Sequence, residues 1–191
     1  DDVASAAGKA YVFHGSSSGL STTPDWSITG ENSADYFGYS VASAGDVNGD
    51  GYADVIVGAY GNVVGEAYVW HGSSTGLSSG SDASDADWSV AGDGDSGDRF
   101  GWSVASAGDV NGDGYADVIV GAYINDDGGT AAGKAYVYHG SASGLLSTPD
   151  WSDEGEGTSD YFGHSVASAG DVNGDGYADV IVGAYGNDDA G

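Results

Sequence analysis

The chain has no cysteine and no methionine, only 2 prolines, and only 3 basic residues among 191. The absence of cysteine excludes disulfides, thiolate metal sites and cysteine nucleophiles, and says little about compartment. With Lys9, Arg99 and Lys134 set against 30 acidic residues, the formal net charge is −27. Such a surface repels nucleic acid phosphates and anionic lipid heads. Charge this lopsided needs an offset: bound cations first, or a high-salt habitat that screens the surface. No stretch is long and apolar enough to span a bilayer. No signal-type segment is present, which a mature or trimmed chain would lack in any case.

What is abundant is glycine, with 36 residues, alongside Val, Ile, Tyr, Trp and Phe. These apolar types suit pleated, half-buried strands. No apolar stripe of helical period is sustained anywhere. The expectation is an all-β chain with many tight turns.

Internal repetition organises the chain. The run FGYSVASAGDVNGDGYADVIVGAY spans Phe37 to Tyr60 and recurs from Phe100 and from Phe162, at spacings of 63 and 62 residues. Only the residue after Phe-Gly changes, from Tyr39 to Trp102 to His164. A second block, GKAYVFHGSSSGL, starts at Gly8 and recurs at Gly65 and Gly133 in slightly altered form; Asp-Trp-Ser recurs at Asp25, Asp87 and Asp150. Each unit reads as four strands: the FGxSVASAG run, the buried run Asp54–Ala59, Ala67–Trp70, and a short stretch around Trp88. Four short strands per unit of about 60 residues is the signature of a β-propeller blade, whose two apolar faces need a neighbour on each side. The chain then divides into strands three and four of a split blade (1–30), full blades at 31–92 and 93–155, and strands one and two of a split blade (156–191). That makes three blade-equivalents in a single propeller segment, 1–191.

The sharpest motif is Asp46-Val47-Asn48-Gly49-Asp50-Gly51-Tyr52-Ala53-Asp54, repeated at 109–117 and 171–179. Acidic or amide oxygens stand at positions 1, 3, 5 and 9, glycine at position 6 permits a sharp turn, and position 7 offers a carbonyl. This is the oxygen layout of an EF-hand-type calcium loop, although Val57, Val120 and Val182 replace the Glu of position 12 and no flanking helices are expected. Magnesium fits less well because it demands a tighter octahedron. Zinc lacks its ligands here. The bland reading is an Asp-rich Asn-Gly/Asp-Gly turn without metal. Three copies of the full oxygen spacing go beyond turn chemistry, and clustered carboxylates without a cation would repel one another. Three divalent ions would offset six of the net negative charges, so metal explains only part of the acidity.

With Phe37-Gly38, the loop Asp46–Asp54 and Gly58-Ala59 repeated three times, the chain resembles the FG-GAP repeat family, which includes the propeller of integrin α subunits. Tyr60, Tyr123 and Tyr185 stand where the family name has proline. The resemblance implies about three calcium ions per chain, held by Asp46, Asn48, Asp50, the Tyr52 carbonyl and Asp54. The same roles fall on Asp109, Asn111, Asp113, Tyr115 and Asp117, and on Asp171, Asn173, Asp175, Tyr177 and Asp179. It implies no particular ligand.

His14, His71 and His139 lie one per unit and read as strand-end residues entering a glycine turn rather than a catalytic trio. His164 fills a Tyr/Trp position. Trp26, Trp88 and Trp151 read as packing between blades, with sugar stacking as the rival. No Gly-x-Ser-x-Gly elbow and no P-loop occurs, and carboxylate pairs are too common here to indicate glycosidase chemistry. The expected function is a non-enzymatic, calcium-stabilised module for extracellular or cell-surface adhesion or ligand recognition. A calcium-dependent lectin and a non-catalytic domain of a larger secreted enzyme are the alternatives. Three blades cannot close, since propellers have four to eight. The expected partner is therefore a second copy, giving a head-to-tail homodimer with a six-bladed ring. The rival is a piece of a longer propeller. The tail Gly186–Gly191 resembles the loop before Gly133, which leads into strand three, so the C-terminal half-blade is expected to need the N-terminal one.

Overall fold

The computed structural model describes residues 6–61, 64–93 and 97–188. Asp189, Ala190 and Gly191, the end of the tail likened to the loop before Gly133, lie outside them, as do the first five residues of the split blade. The described strands are β1 (Lys9–Val12), β2 (Gly15–Ser16), β3 (Gly19–Leu20), β4 (Trp26–Thr29), β5 (Ser40–Gly45), β6 (Asp54–Ala59), β7 (Glu66–Trp70), β8 (Trp88–Ala91), β9 (Phe100–Gly108), β10 (Asp117–Ala122), β11 (Lys134–Tyr138), β12 (Trp151–Glu154), β13 (Phe162–Gly170) and β14 (Asp179–Ala184). Among the described residues the one helical element is a 3-10 turn at Ala83–Asp85.

The strands form two four-stranded antiparallel sheets in sequence order, β5-β6-β7-β8 and β9-β10-β11-β12. Flanking them are two two-stranded sheets, β1-β4 and β13-β14, and the small hairpin β2-β3. The architecture is thus all-β, with two full propeller blades between two half-blades. The register repeats as faithfully as the sequence: Ile56 faces Val69 as Ile119 faces Val137. In the first full blade the leading strand begins at Ser40 rather than at Phe37, whereas in the other two units it begins at Phe100 and Phe162. The β2-β3 hairpin and the 3-10 turn had no signal at the level of strand periodicity.

No sheet has a core of its own. The buried apolar residues form three clusters, one at each sheet-to-sheet contact. Ala10, Trp26 and Ile28 meet Phe37, Tyr68 and Trp70 at the first. Ile56, Val69 and Trp88 meet Phe100, Val120 and Tyr138 at the second. Ile119 and Val137 meet Phe162, Val166 and Val182 at the third. Successive residues of β6 serve opposite contacts, Ile56 forward and Val57 back, as the two-residue period of a strand requires. This explains why the strand carries no polar side chain from Val55 to Ala59.

The Phe-Gly pair locks one blade to the next. Phe37, Phe100 and Phe162 each form a parallel bridge with a glycine of the preceding sheet, Gly8, Gly65 and Gly133. The following residue is Gly101 at φ 79° in the second unit, left-handed backbone that glycine alone adopts freely, and an added Cβ would run into the Glu66 carbonyl. Gly121 in β10 has ordinary backbone, but its Cβ would overlap the Gly163 carbonyl oxygen of the next blade. Backbone meets backbone there, so relief requires the blades to separate. Gly121→Ala is expected to destabilise the fold by about 1–3 kcal/mol, the usual cost of overpacking. Urea unfolding of the variant checks this; an unchanged midpoint would mean the blades do not depend on that close approach.

Candidate metal centre

The three Asp-rich segments are the hairpin loops β5-β6, β9-β10 and β13-β14, all at the same end of their blades. In the first, Asp46 organises the turn. Its Oδ1 accepts hydrogen bonds from the Gly49 and Asp50 amides at 2.7 and 3.0 Å, and its Oδ2 from the Gly51 amide at 2.8 Å. Asn48 Oδ1 accepts from the Asp50 amide at 2.9 Å, and Asp50 Oδ1 from the Tyr52 amide at 2.9 Å. Gly49 and Gly51 stand at φ 74° and 90°, which lets consecutive amides turn inward on the carboxylate. The Asp109 and Asp171 loops reproduce the pattern, with amide contacts of 2.7, 3.1 and 2.9 Å and of 2.6, 3.1 and 2.9 Å. Asn111, Asp113, Asn173 and Asp175 repeat the inner bonds. The amide bonds, led by that from Gly176, hold the Asp171 carboxyl below the usual carboxylate range.

The ninth position behaves differently from the first five. Asp54 is fully buried. Its Oδ2 accepts from the Val47 amide and its Oδ1 from the Gly72 amide, each at 2.8 Å, so it pins the loop to the turn after β7. Asp117 does the same with Val110 and Gly140, both at 2.8 Å. Burial is the dominant influence on both and pushes their carboxyls up despite these amides. Asp179 takes the Val172 amide at 2.8 Å. This structural duty of the ninth residue was not visible in the loop spacing, because Gly72 and Gly140 lie in another block of the repeat.

Among the described residues no three Asp, Glu or His side chains converge as a group that would hold a metal ion. Asp46 and Asp50 share one turn, and Asp54 is fastened by the Val47 and Gly72 amides. The donor chemistry of each loop nonetheless suits a hard cation. It consists of carboxylate, amide and carbonyl oxygens, and each oxygen that accepts one amide bond keeps a second lone pair. The loops also touch one another. Ala116 donates its amide to the Asp46 carbonyl at 3.0 Å and Ala178 to the Asp109 carbonyl at 2.9 Å. The Tyr115 ring lies over Gly49 and the Tyr177 ring over Gly112.

Trp26 and Trp88 stand where a packing role between blades puts them, whereas Trp151 is exposed. The backbone amides of His14, His71 and His139 donate to Asp25, Asp87 and Asp150, so the Asp before each Trp closes the turn after the third strand. Trp26 and Trp88 are buried, and their ring N–H groups donate to the Ser78 and Leu146 carbonyls of the next blade at 2.8 and 3.0 Å.

At the other end of the hairpins the structure assembles a feature that the sequence reading missed. Tyr36 stacks on Tyr60 at 5.1 Å, and Tyr39 meets Trp102 at 4.5 Å. Trp102 meets Tyr123 at 4.5 Å, His164 meets Tyr185 at 4.7 Å, and Tyr161 stacks on Tyr185 at 4.9 Å. Arg99 lies over the Tyr60 ring at 5.2 Å. This belt crosses the blades, with Tyr36, Tyr39 and Tyr185 exposed. Its signal was present as aromatic residues flanking Phe-Gly and following Gly-Ala in each unit.

The FG-GAP repeat pattern matches residues 37–70, 100–138 and 162–191, together more than half of the chain. Human integrin alpha-6 is 34% identical over 171 residues, covering 84% of this chain and 14% of the relative. Integrin alpha-PS2 of Drosophila melanogaster is 37% identical over 182 residues, covering 85% and 12%. Integrin alpha-7 of Rattus norvegicus is 36% identical over 169 residues, covering 84% and 14%. The chain thus spans about one-seventh or less of the length of these relatives. No helix among the described residues is long and apolar enough to cross a membrane. Threefold repetition of Phe-Gly, Asp-rich loop and Gly-Ala on four-stranded blades, together with these matches, places the chain in the FG-GAP repeat family as an integrin-α-like β-propeller segment.

Proposed function

We propose that this chain is a non-enzymatic, calcium-stabilised propeller module serving adhesion or ligand recognition at the extracellular or cell-surface side, where its integrin α relatives belong. The observation that carries the calcium reading is the threefold turn in which Asp46, Asp109 and Asp171 each gather three backbone amides. That turn groups the side-chain oxygens of positions 1, 3 and 5 within one short segment. Asp46, Asn48, Asp50, the Tyr52 carbonyl and Asp54 are the proposed ligands, with their counterparts in the other two loops. A bound divalent cation supplies positive charge where the chain is most acidic and ties the two inner strands of a blade together. Waters complete its shell of six to eight oxygens. Without the position-12 Glu such sites suit the millimolar calcium outside cells.

The aromatic belt, at the opposite end from the loops, is the surface offered to a protein or glycan ligand. Glycan recognition is favoured there rather than at the Asp-Trp-Ser blocks, since Trp26 and Trp88 are buried and of the three Trp151 alone is exposed. A glycan array with and without calcium tests that variant of the reading. The proposed partner in solution is a second copy in a head-to-tail, six-bladed pair.

Calcium is expected to raise the melting temperature and EGTA to lower it. Each site contributes about 2.7 kcal/mol at a hundredfold excess over its dissociation constant. Differential scanning calorimetry provides the readout, and a melting temperature indifferent to EGTA would refute the calcium reading.

Asp50→Ala, Asp113→Ala and Asp175→Ala are each expected to remove one ion per chain in isothermal titration calorimetry, because no other side-chain oxygen of the loop occupies position 5. An undiminished ion count in every variant would refute the ligand assignment.

A further inference from the structure

The middle unit of the repeat departs from the other two at a pair of positions that touch in those two. Tyr36, Arg99 and Tyr161 each precede Phe-Gly and share left-handed backbone, at φ 51°, 64° and 58°. In the first and third units this residue is a phenol stacked on the tyrosine that follows Gly-Ala. Tyr36 lies on Tyr60 at 5.1 Å and Tyr161 on Tyr185 at 4.9 Å, with 7° between the ring planes in both. Glycine follows that tyrosine in both units, and a Cβ on Gly61 or Gly186 would run into the stacked phenol. In the middle unit Ile124 stands in the place of the glycine and Arg99 in the place of the phenol. The Arg99 guanidinium lies over the Tyr60 ring of the preceding blade at 5.2 Å.

Arg99 is the only arginine of the chain, and among the described residues it has no carboxylate partner. Lys134, by contrast, holds Asp127 at 2.7 Å. Asp98, next to Arg99 in the chain, is buried and accepts the Asn125 carboxamide at 2.7 Å. The planar fork of guanidinium donors is therefore open to an acceptor from outside, and the Tyr60 ring beneath favours its cationic face. Beside it, Tyr39 is exposed and meets Trp102 at 4.5 Å and Tyr60 at 4.6 Å. The hydroxyls of Tyr39 and Tyr60 and the Trp102 ring N–H make no hydrogen bond among the described residues. All four residues belong to the two full blades, inside the chain rather than at its flanks.

We infer that this part of the belt binds a glycan that carries a carboxylate, a uronate or a sialate, and that Arg99 is the residue that selects it. The inference rests on the reading of the belt as a glycan surface. The carboxylate takes two parallel hydrogen bonds from the guanidinium. The apolar face of the sugar lies against Tyr39, and the tyrosine hydroxyls and the Trp102 N–H serve its oxygens. The net charge of −27 opposes any anion. At physiological ionic strength, however, exposed charges more than about 8 Å apart are largely screened. A bidentate contact at hydrogen-bond distance therefore outweighs the distant field. A phosphate brings a second charge and meets more of that repulsion, which favours the carboxylate.

Isothermal titration of the whole chain in calcium compares sialyllactose with lactose, and a glucuronate-containing tetrasaccharide with its carboxyl-reduced form. A charged glycan is expected to bind at least about tenfold more tightly than its neutral counterpart. Arg99→Tyr combined with Ile124→Gly rebuilds the pair that the first and third units already carry. This double variant is expected to fold as they do and to bind charged and neutral glycans alike. Arg99→Lys keeps the charge without the fork and is expected to lose most of the preference. Equal affinity for charged and neutral glycans in the unsubstituted chain overturns the inference and leaves the glycan reading of the belt standing. Binding of none of the four overturns both together. A preference that survives the double variant overturns Arg99 as its source. A tetraglutamate peptide that matches the glycans in affinity, and is lost in the double variant, overturns the glycan as occupant in favour of an acidic protein segment.

Discussion

Everything in this molecule depends on sheets packing face to face. A four-stranded sheet has two apolar faces and no interior, so its stability is supplied by its neighbours. Ile56 and Val57, adjacent in β6, belong to different clusters because they look toward different blades. The continuous apolar run of the second strand, the glycines that let backbones touch, and the tryptophans that reach across are all consequences of that single arrangement.

Close approach explains the residues that give the repeat its appearance. Phenylalanine fills the space between blades while the glycine after it lies against the preceding backbone, as Gly101 does against Glu66. At the other end of each hairpin, an aspartate draws in the amides of its own turn, and the ninth residue of the loop fastens that turn to the third strand. A cation in such a loop would brace a hairpin that hydrogen bonds have already shaped. Thirty acidic residues are tolerated partly because several of them, including Asp54 and Asp117, are occupied with backbone amides.

The two ends of the inner hairpins carry different chemistry. One end is a row of oxygen-rich loops whose neighbours touch through Ala116 and Ala178. The other is a belt of tyrosine, tryptophan and histidine rings carrying Arg99 on its face.

The sequence by itself determined the blade: the two-residue period and buried run of Asp54–Ala59, the oxygen spacing of the Asp-rich loops and the order of the strands are local properties, written three times over. It also put Trp26 and Trp88 between blades, since a repeated large aromatic on a strand has few other places to go. Only the tertiary structure decided what lies far apart in the chain. Asp54 meets Gly72 across a sheet, Phe100 reaches beyond its own sheet to bridge Gly65, and Tyr39, Trp102 and His164 become neighbours although more than sixty residues separate each from the next. Those contacts follow from the angle and distance between one blade and the next. Periodicity along a strand carries no information about either, and they are fixed only when glycine backbones and apolar faces are brought together.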